Sequence, residues 1–219
     1  MTVIMAPKEA AFRCKIKDVY GIHDGYNLIL RPGYTSIVGP NGAGKTTLLN
    51  QLEEIARDRS YIVYRYSHLV SGGNAARQKW LENGDITLLA ASATSSEGEN
   101  ISIAFGQAVK TIGAAVAKAV KEETPLMVLL DSLDSGASID RLRSLTGLFN
   151  LILKDAGVLG HDRPERGVYI VAAVNAYELA WHGVCVDPRT GKTMTFSDYN
   201  DYASYICSYP LGRRKEDHA

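Results

Sequence analysis

Two segments constrain the fold more than any others: "LMVLLD", Leu126 to Asp131, and "VYIVAAV", Val168 to Val174, which carry apolar side chains almost without interruption. A strand with one wet face alternates apolar and polar residues, whereas a run like these has to be covered on both faces. Covering both faces of a strand takes helices above and below it, and parallel neighbours need a helical crossover between them. The segment between the two runs supplies one, because Leu142, Leu145, Leu148, Phe149 and Ile152 recur at helical spacing in "IDRLRSLTGLFNLILKD", with Ser138 placed to cap it. The expected class is therefore α/β, a largely parallel sheet flanked by helices.

The remaining pattern fits that class. "FRCKIKDV" alternates as a half-buried strand does, "YNLILRPGYTSIVG" reads as two strands around a Pro32-Gly33 turn, and "YIVYRY" is rich in β-branched and aromatic residues. Helices are expected from Thr46 to Arg59, around Ala75 to Leu81, and along "ENISIAFGQAVKTIGAAVAKAVKEE". "GHDRPERG" reads as a loop, "GVCVDPRTGKTMTF" as a hairpin, "SDYNDYASYICS" as a short helix, and both ends of the chain as loose. The resulting organisation is one domain over residues 1–219. Its core runs from about 12 to 182, followed by a C-terminal hairpin and helix at 183–208 and a tail at 209–219; the first strand gives an N-terminal antiparallel portion.

Composition narrows the function. Lys plus Arg equal Asp plus Glu at 24 each, so there is no global basic field for nucleic acid, and any such contact has to be a local patch. Cys14, Cys185 and Cys207 are an odd number without C-x-x-C spacing, which argues against a disulfide framework and a zinc ribbon and points to a reducing, cytoplasmic setting. No apolar run approaches the roughly 18 to 20 residues of a membrane span, so no membrane is expected among the partners.

The chemistry begins at "SIVGPNGAGKTTLL". Gly39, Gly44, Lys45 and Thr46 satisfy G-x-x-x-x-G-K-[ST] between a β-run and a helix, the context that makes a phosphate-binding P-loop of this string. Glycines let successive N–H groups curl around phosphates, the helix start adds partial positive charge, Lys45 adds a full one, and the Thr46 hydroxyl can ligate magnesium. The ligand expected is thus a nucleoside triphosphate with Mg2+. Asp131 ends a buried run, where a carboxylate is costly unless it meets a cation or donors, so it reads as the magnesium-associated acid.

The form "GPNGAGKTT", Gly39, Pro40, Asn41, Gly42, Ala43, Gly44, Lys45, Thr46 and Thr47, resembles the ABC-type ATPases. "SSEGEN" looks like their signature loop, with Ser96, Gly98 and Glu99 at the matching positions, and "SGASID" resembles their D-loop, with Asp140 near its acidic position. Asn175 stands where that family usually places a switch histidine. Ser132 stands where it places the glutamate that polarises the attacking water; serine has no useful basicity near neutral pH, so slow hydrolysis is expected unless Asp134, Glu178 or a partner supplies a carboxylate. For the metal-associated glutamine of the family the candidate is Gln78, with His68 competing. Tyr20 or Tyr26 could stack on adenine, and Arg13 and Lys15 could approach the phosphates.

The S-x-G-E form of the signature and the strand leading directly into the P-loop look most like the SMC, RecF and DNA-repair branch, without its coiled coil, and like small stand-alone ATPases of bacteriophages and mobile elements. That resemblance implies a homodimer closing over two nucleotides, each P-loop facing the other copy's signature, acting on DNA or a nucleoprotein complex. Two other functions compete: a nucleotide-gated module that recruits a protein partner with little turnover, and the ATPase subunit of a transporter. Tyr199, Tyr202, Tyr205 and Tyr209 share one helical face, which reads as docking to the core; Arg213, Arg214 and Lys215 follow and make that region the best local patch for a partner.

Overall fold

In a computed structural model, which describes residues 11–19, 21–67, 97–134, 137–157, 167–181 and 183–210 with the isolated positions 82, 87 and 88, the chain alternates strands and helices as its apolar pattern requires. In order these are β1 (Phe12–Ile16), β2 (Tyr26–Leu30), β3 (Gly33–Val38), α1 (Lys45–Asp58), β4 (Ile62–Ser67), α2 (Glu97–Glu122), β5 (Leu126–Asp131), α3 (Ile139–Asp155), β6 (Val168–Val174), α4 (Tyr177–Ala180), β7 (Val184–Val186), β8 (Thr193–Met194) and α5 (Tyr199–Ser208). The helix expected at Ala75 to Leu81, the "GHDRPERG" loop short of its last residue, Gly167, and both extreme ends of the chain lie outside the described residues.

Six strands form the main sheet in the order β4-β5-β6-β3-β7-β8, parallel except for the β7–β8 pair. β1 and β2 pair antiparallel in a separate sheet. Period-two alternation then divides the core in two. Leu126, Val128 and Leu130 of β5, with Val168, Ile170 and Ala172 of β6, face α2, α3 and the C-terminal helices. Met127 and Leu129, with Tyr169, Val171 and Ala173, face α1 and the small sheet. α1 answers with Leu48, Leu49, Leu52 and Ala56, one stripe at helical spacing, and the small sheet with Phe12, Cys14, Ile16, Leu28 and Leu30. The architecture is thus three-layered, with the sheet in the middle.

Three expectations change. The two strands around Pro32 and Gly33 are present, but they do not pair: a two-residue link carries the chain from the small sheet into the large one. The C-terminal hairpin, expected to follow the core, joins it: β7 runs parallel to β3 in the main sheet with Thr35, Ser36 and Ile37 opposite Val184, Cys185 and Val186. Ser138 occupies the cap position of α3, yet its side chain makes no capping hydrogen bond. No helix among the described residues is long and apolar enough to cross a membrane.

Candidate functional site

The register of the central strands brings one edge of the sheet together. Val38 lies opposite Val174, and Asp131 opposite Ala173, so the chain leaves β3, β5 and β6 side by side at Gly39, Ser132 and Asn175. Carboxyl ends of neighbouring parallel strands are where open α/β sheets hold ligands. Here they gather Lys45, Thr46, Asp131, Asp134 and Asn175.

The turn after β3 needs its glycines. Gly42 and Gly44 have φ of 85° and 90°, left-handed values that cost other residues energy. Gly44 is also packed: a Cβ there would overlap Ile22 and lie 3.0 Å from His23 Cε1. Ala43 N–H donates to the Pro40 carbonyl at 3.1 Å and Leu48 N–H to that of Gly44 at 2.9 Å, closing the turn into the helix. Asn41 and Gly42 are exposed at its tip, and Thr47 is half-buried behind it.

Lys45 curls back over this turn. Its Nζ donates to the Gly39 carbonyl at 2.6 Å, the Pro40 carbonyl at 3.0 Å and Asn175 Oδ1 at 2.8 Å. All three acceptors are neutral, so the described residues give this ammonium dipoles rather than a bonded counter-charge. Desolvation lowers its pKa, and the more distant fields of Asp134 and Asp131 oppose that shift. A partly buried cation without a directly bonded anion, at a helix start, favours an anionic ligand.

Asp131 is 4% exposed and fully engaged. Its Oδ1 accepts from Thr46 Oγ1 at 3.3 Å and from Ser132 Oγ at 3.4 Å, while Oδ2 accepts from Arg65 Nη2 at 2.9 Å. Ser132 itself holds φ of 56°, an uncommon conformation for a residue with a side chain. Asp134 is no solvated surface acid: one oxygen accepts the backbone N–H groups of both Asn175 and Ala176, and the other is buried without a hydrogen-bond partner among the described residues. Asn175 is held at three points, since its carbonyl also accepts from Tyr202 Oη at 2.6 Å. Glu178 lies in α4 and outside this network, close enough for its charge to help raise the Tyr202 pKa after burial and other charges.

Other candidates sit elsewhere. Tyr26 is not open for stacking, because its hydroxyl donates to the Pro188 carbonyl at 2.6 Å and Gly191 lies directly against its ring. Arg13 and Lys15 project from the outer face of the small sheet, opposite the buried Phe12, Cys14 and Ile16. Asp140 is exposed in the first turn of α3. Gln78, His68, Tyr20 and Ser96 lie outside the described residues. Gly98 and Glu99 are within the first turn of α2, which starts at Glu97 rather than after the "SSEGEN" segment.

Two residues at the site escaped the sequence reading. Arg65 could have been found, as a lone charge inside "YIVYRY" sharing with Val63 the face that looks toward α1. His23 carried no local signal. It is 2% exposed, with Nδ1 2.7 Å from the Pro188 carbonyl; a carbonyl only accepts, so Nδ1 carries the hydrogen. Protein-family models, curated proteins and solved structures were all compared with this chain, and none matches.

Proposed function

We propose that the protein binds a nucleoside triphosphate, ATP, with Mg2+ on the Gly39–Thr46 turn, and that it is a slowly hydrolysing ATPase of the ABC type, nearest the SMC, RecF and DNA-repair branch of P-loop proteins. The observation that carries this reading is the convergence of Lys45, Thr46, Asp131 and Asn175 at the carboxyl ends of three adjacent strands. Lys45 is the cation for the phosphates, and the turn's N–H groups the cradle. The residues suit magnesium: Thr46 and Asp131 offer two oxygens 3.3 Å apart, and Mg2+ commonly takes one or two protein oxygens while phosphates and water complete its shell. When bound it would neutralise phosphate charge. Asn175, already hydrogen-bonded to Lys45, is placed to exchange that bond for one to the ligand.

The triphosphate closes two copies into a homodimer, in a DNA or nucleoprotein transaction. Equilibrium binding of a fluorescent ATP analogue, with light scattering of the same samples, tests both parts. Tight binding that Lys45→Ala removes, with doubled mass in ATP and magnesium, supports the reading; equal behaviour of wild type and variant overturns it. A second reading, a nucleotide-gated module that recruits a protein partner, is favoured by Ser132 at the position of the water-polarising glutamate. Steady-state turnover with and without DNA separates the two.

A further inference from the structure

Arg65 contributes one guanidinium nitrogen to Asp131 and keeps another in reserve. Strand β4 pairs with β5 so that Ser67 lies opposite Asp131 and Arg65 opposite Leu129, which makes Arg65 the diagonal neighbour of the carboxylate on one face of the sheet. Nη2 donates to Asp131 Oδ2 at 2.9 Å, and Nη1 is buried without a hydrogen-bond partner among the described residues. The arginine is 18% and the aspartate 6% exposed at the side chain, so neither charge is solvated away. The same carboxylate reaches Thr46 through its other oxygen. A guanidinium is planar and permanently charged, and its two terminal nitrogens can serve two different oxygens at once.

We propose that Arg65 is a second cationic ligand of the bound triphosphate, Nη2 orienting Asp131 while Nη1 donates to a phosphate oxygen. This rests on the phosphate-site reading above and adds a consequence that reading lacks. A fixed guanidinium beside the carboxylate supplies part of the positive charge that a divalent ion otherwise provides. Nucleotide binding by this chain is therefore less dependent on magnesium than Lys45 alone would make it.

The test is equilibrium binding of a fluorescent ATP analogue by the full chain in magnesium and in EDTA, for wild type, Arg65→Lys and Arg65→Gln, with thermal unfolding of each. Arg65→Lys keeps a cation against Asp131 and so keeps the fold, but its donors all sit on one nitrogen, so it loses the second nitrogen that reaches beyond the carboxylate. The expected result is that EDTA weakens wild-type binding by less than about tenfold, and that both variants bind at least about tenfold more weakly than wild type in EDTA. Variants that bind within about tenfold of wild type in EDTA overturn the proposal, as does a wild-type affinity that falls more than about tenfold on removing magnesium, an arm that needs no variant. Binding in magnesium that Lys45→Ala abolishes leaves the phosphate-site reading standing in either case. No binding under any condition removes that reading and this proposal together.

Discussion

Tyr202 of α5 donates its hydroxyl hydrogen to the backbone carbonyl of Asn175 at 2.6 Å, which ties the C-terminal helix to the residue that holds Lys45. Tyr205 makes a longer contact of 3.5 Å to the Val38 carbonyl, and Tyr209 donates to Asp187 at 2.9 Å while lying against Gly39. Tyr202, Tyr205 and Tyr209 thus form a docking face, and what they dock on is the rim of the site, whereas Tyr199 of the same stripe is 62% exposed and meets Tyr177 edge-on. Tyr202→Phe keeps the ring but leaves the carbonyl without this donor, and is expected to cost about 0.5–1.5 kcal/mol in chemical denaturation. Tyr202→Ala also empties a packed position against Phe196 and Tyr177, and is expected to cost about 3–5 kcal/mol, by analogy with other large aromatic truncations. Equal stability of Tyr202→Phe and wild type would mean that the hydroxyl contributes nothing net.

Gly42 and Gly44 have nearly the same left-handed backbone but different surroundings. Around Gly42 a Cβ meets nothing within 4 Å, whereas at Gly44 it collides with Ile22 and His23. Gly42→Ala is expected to lose only the conformational term, about 1–2 kcal/mol. Gly44→Ala adds displacement of the β1–β2 loop, so its unfolding midpoint should fall clearly below that of Gly42→Ala. A reversed order in thermal or urea unfolding would show that the loop yields without cost.

How far the sequence led depended on which force sets each feature. β5, β6 and α3 were legible to the residue because burial on two faces, or on one helical stripe, leaves a signal inside the element itself. β7 was legible only as half of a hairpin. Its three residues are too few to show a pattern, and its place beside β3 is decided by tertiary pairing. At the site, the glycine turn and Asp131 could be read from local chemistry. The bonds from Arg65 to Asp131 and from His23 to Pro188 span 66 and 165 positions, and nothing local encodes their distance.

His23 should make stability depend on pH. Burial lowers its pKa, opposed by the hydrogen bond to Pro188 and the charges of Asp18 and Asp24. With the folded pKa below the unfolded value of about 6.5, the unfolded chain takes up the proton first as pH falls, so this group destabilises the fold progressively below that point until its folded pKa is reached. The physical cause is plain: protonation would place a hydrogen on Nε2, which is buried without a partner among the described residues. His23→Gln is expected to flatten the fall in unfolding midpoint between pH 7 and pH 5. A variant whose midpoint falls as steeply as wild type would assign that pH dependence to other groups.

Ser132 offers the most direct test of the proposed slow hydrolysis. Its φ of 56° is already the conformation that side chains avoid, so replacing serine by glutamate introduces no new backbone term, and the 3.4 Å contact to Asp131 that is lost is long. If the chain hydrolyses ATP slowly for want of a carboxylate beside Asp131, Ser132→Glu is expected to raise steady-state phosphate release by about ten- to a hundredfold, at the low end of what a positioned base contributes elsewhere. Nucleotide affinity should stay within a few-fold of wild type, because the proposed phosphate contacts come from Lys45, the turn and Arg65 rather than from Ser132. The gain should vanish in a Lys45→Ala background. Unchanged turnover in a variant that still binds the nucleotide would place the attacking water away from Ser132 and favour the nucleotide-gated partner module over the ATPase.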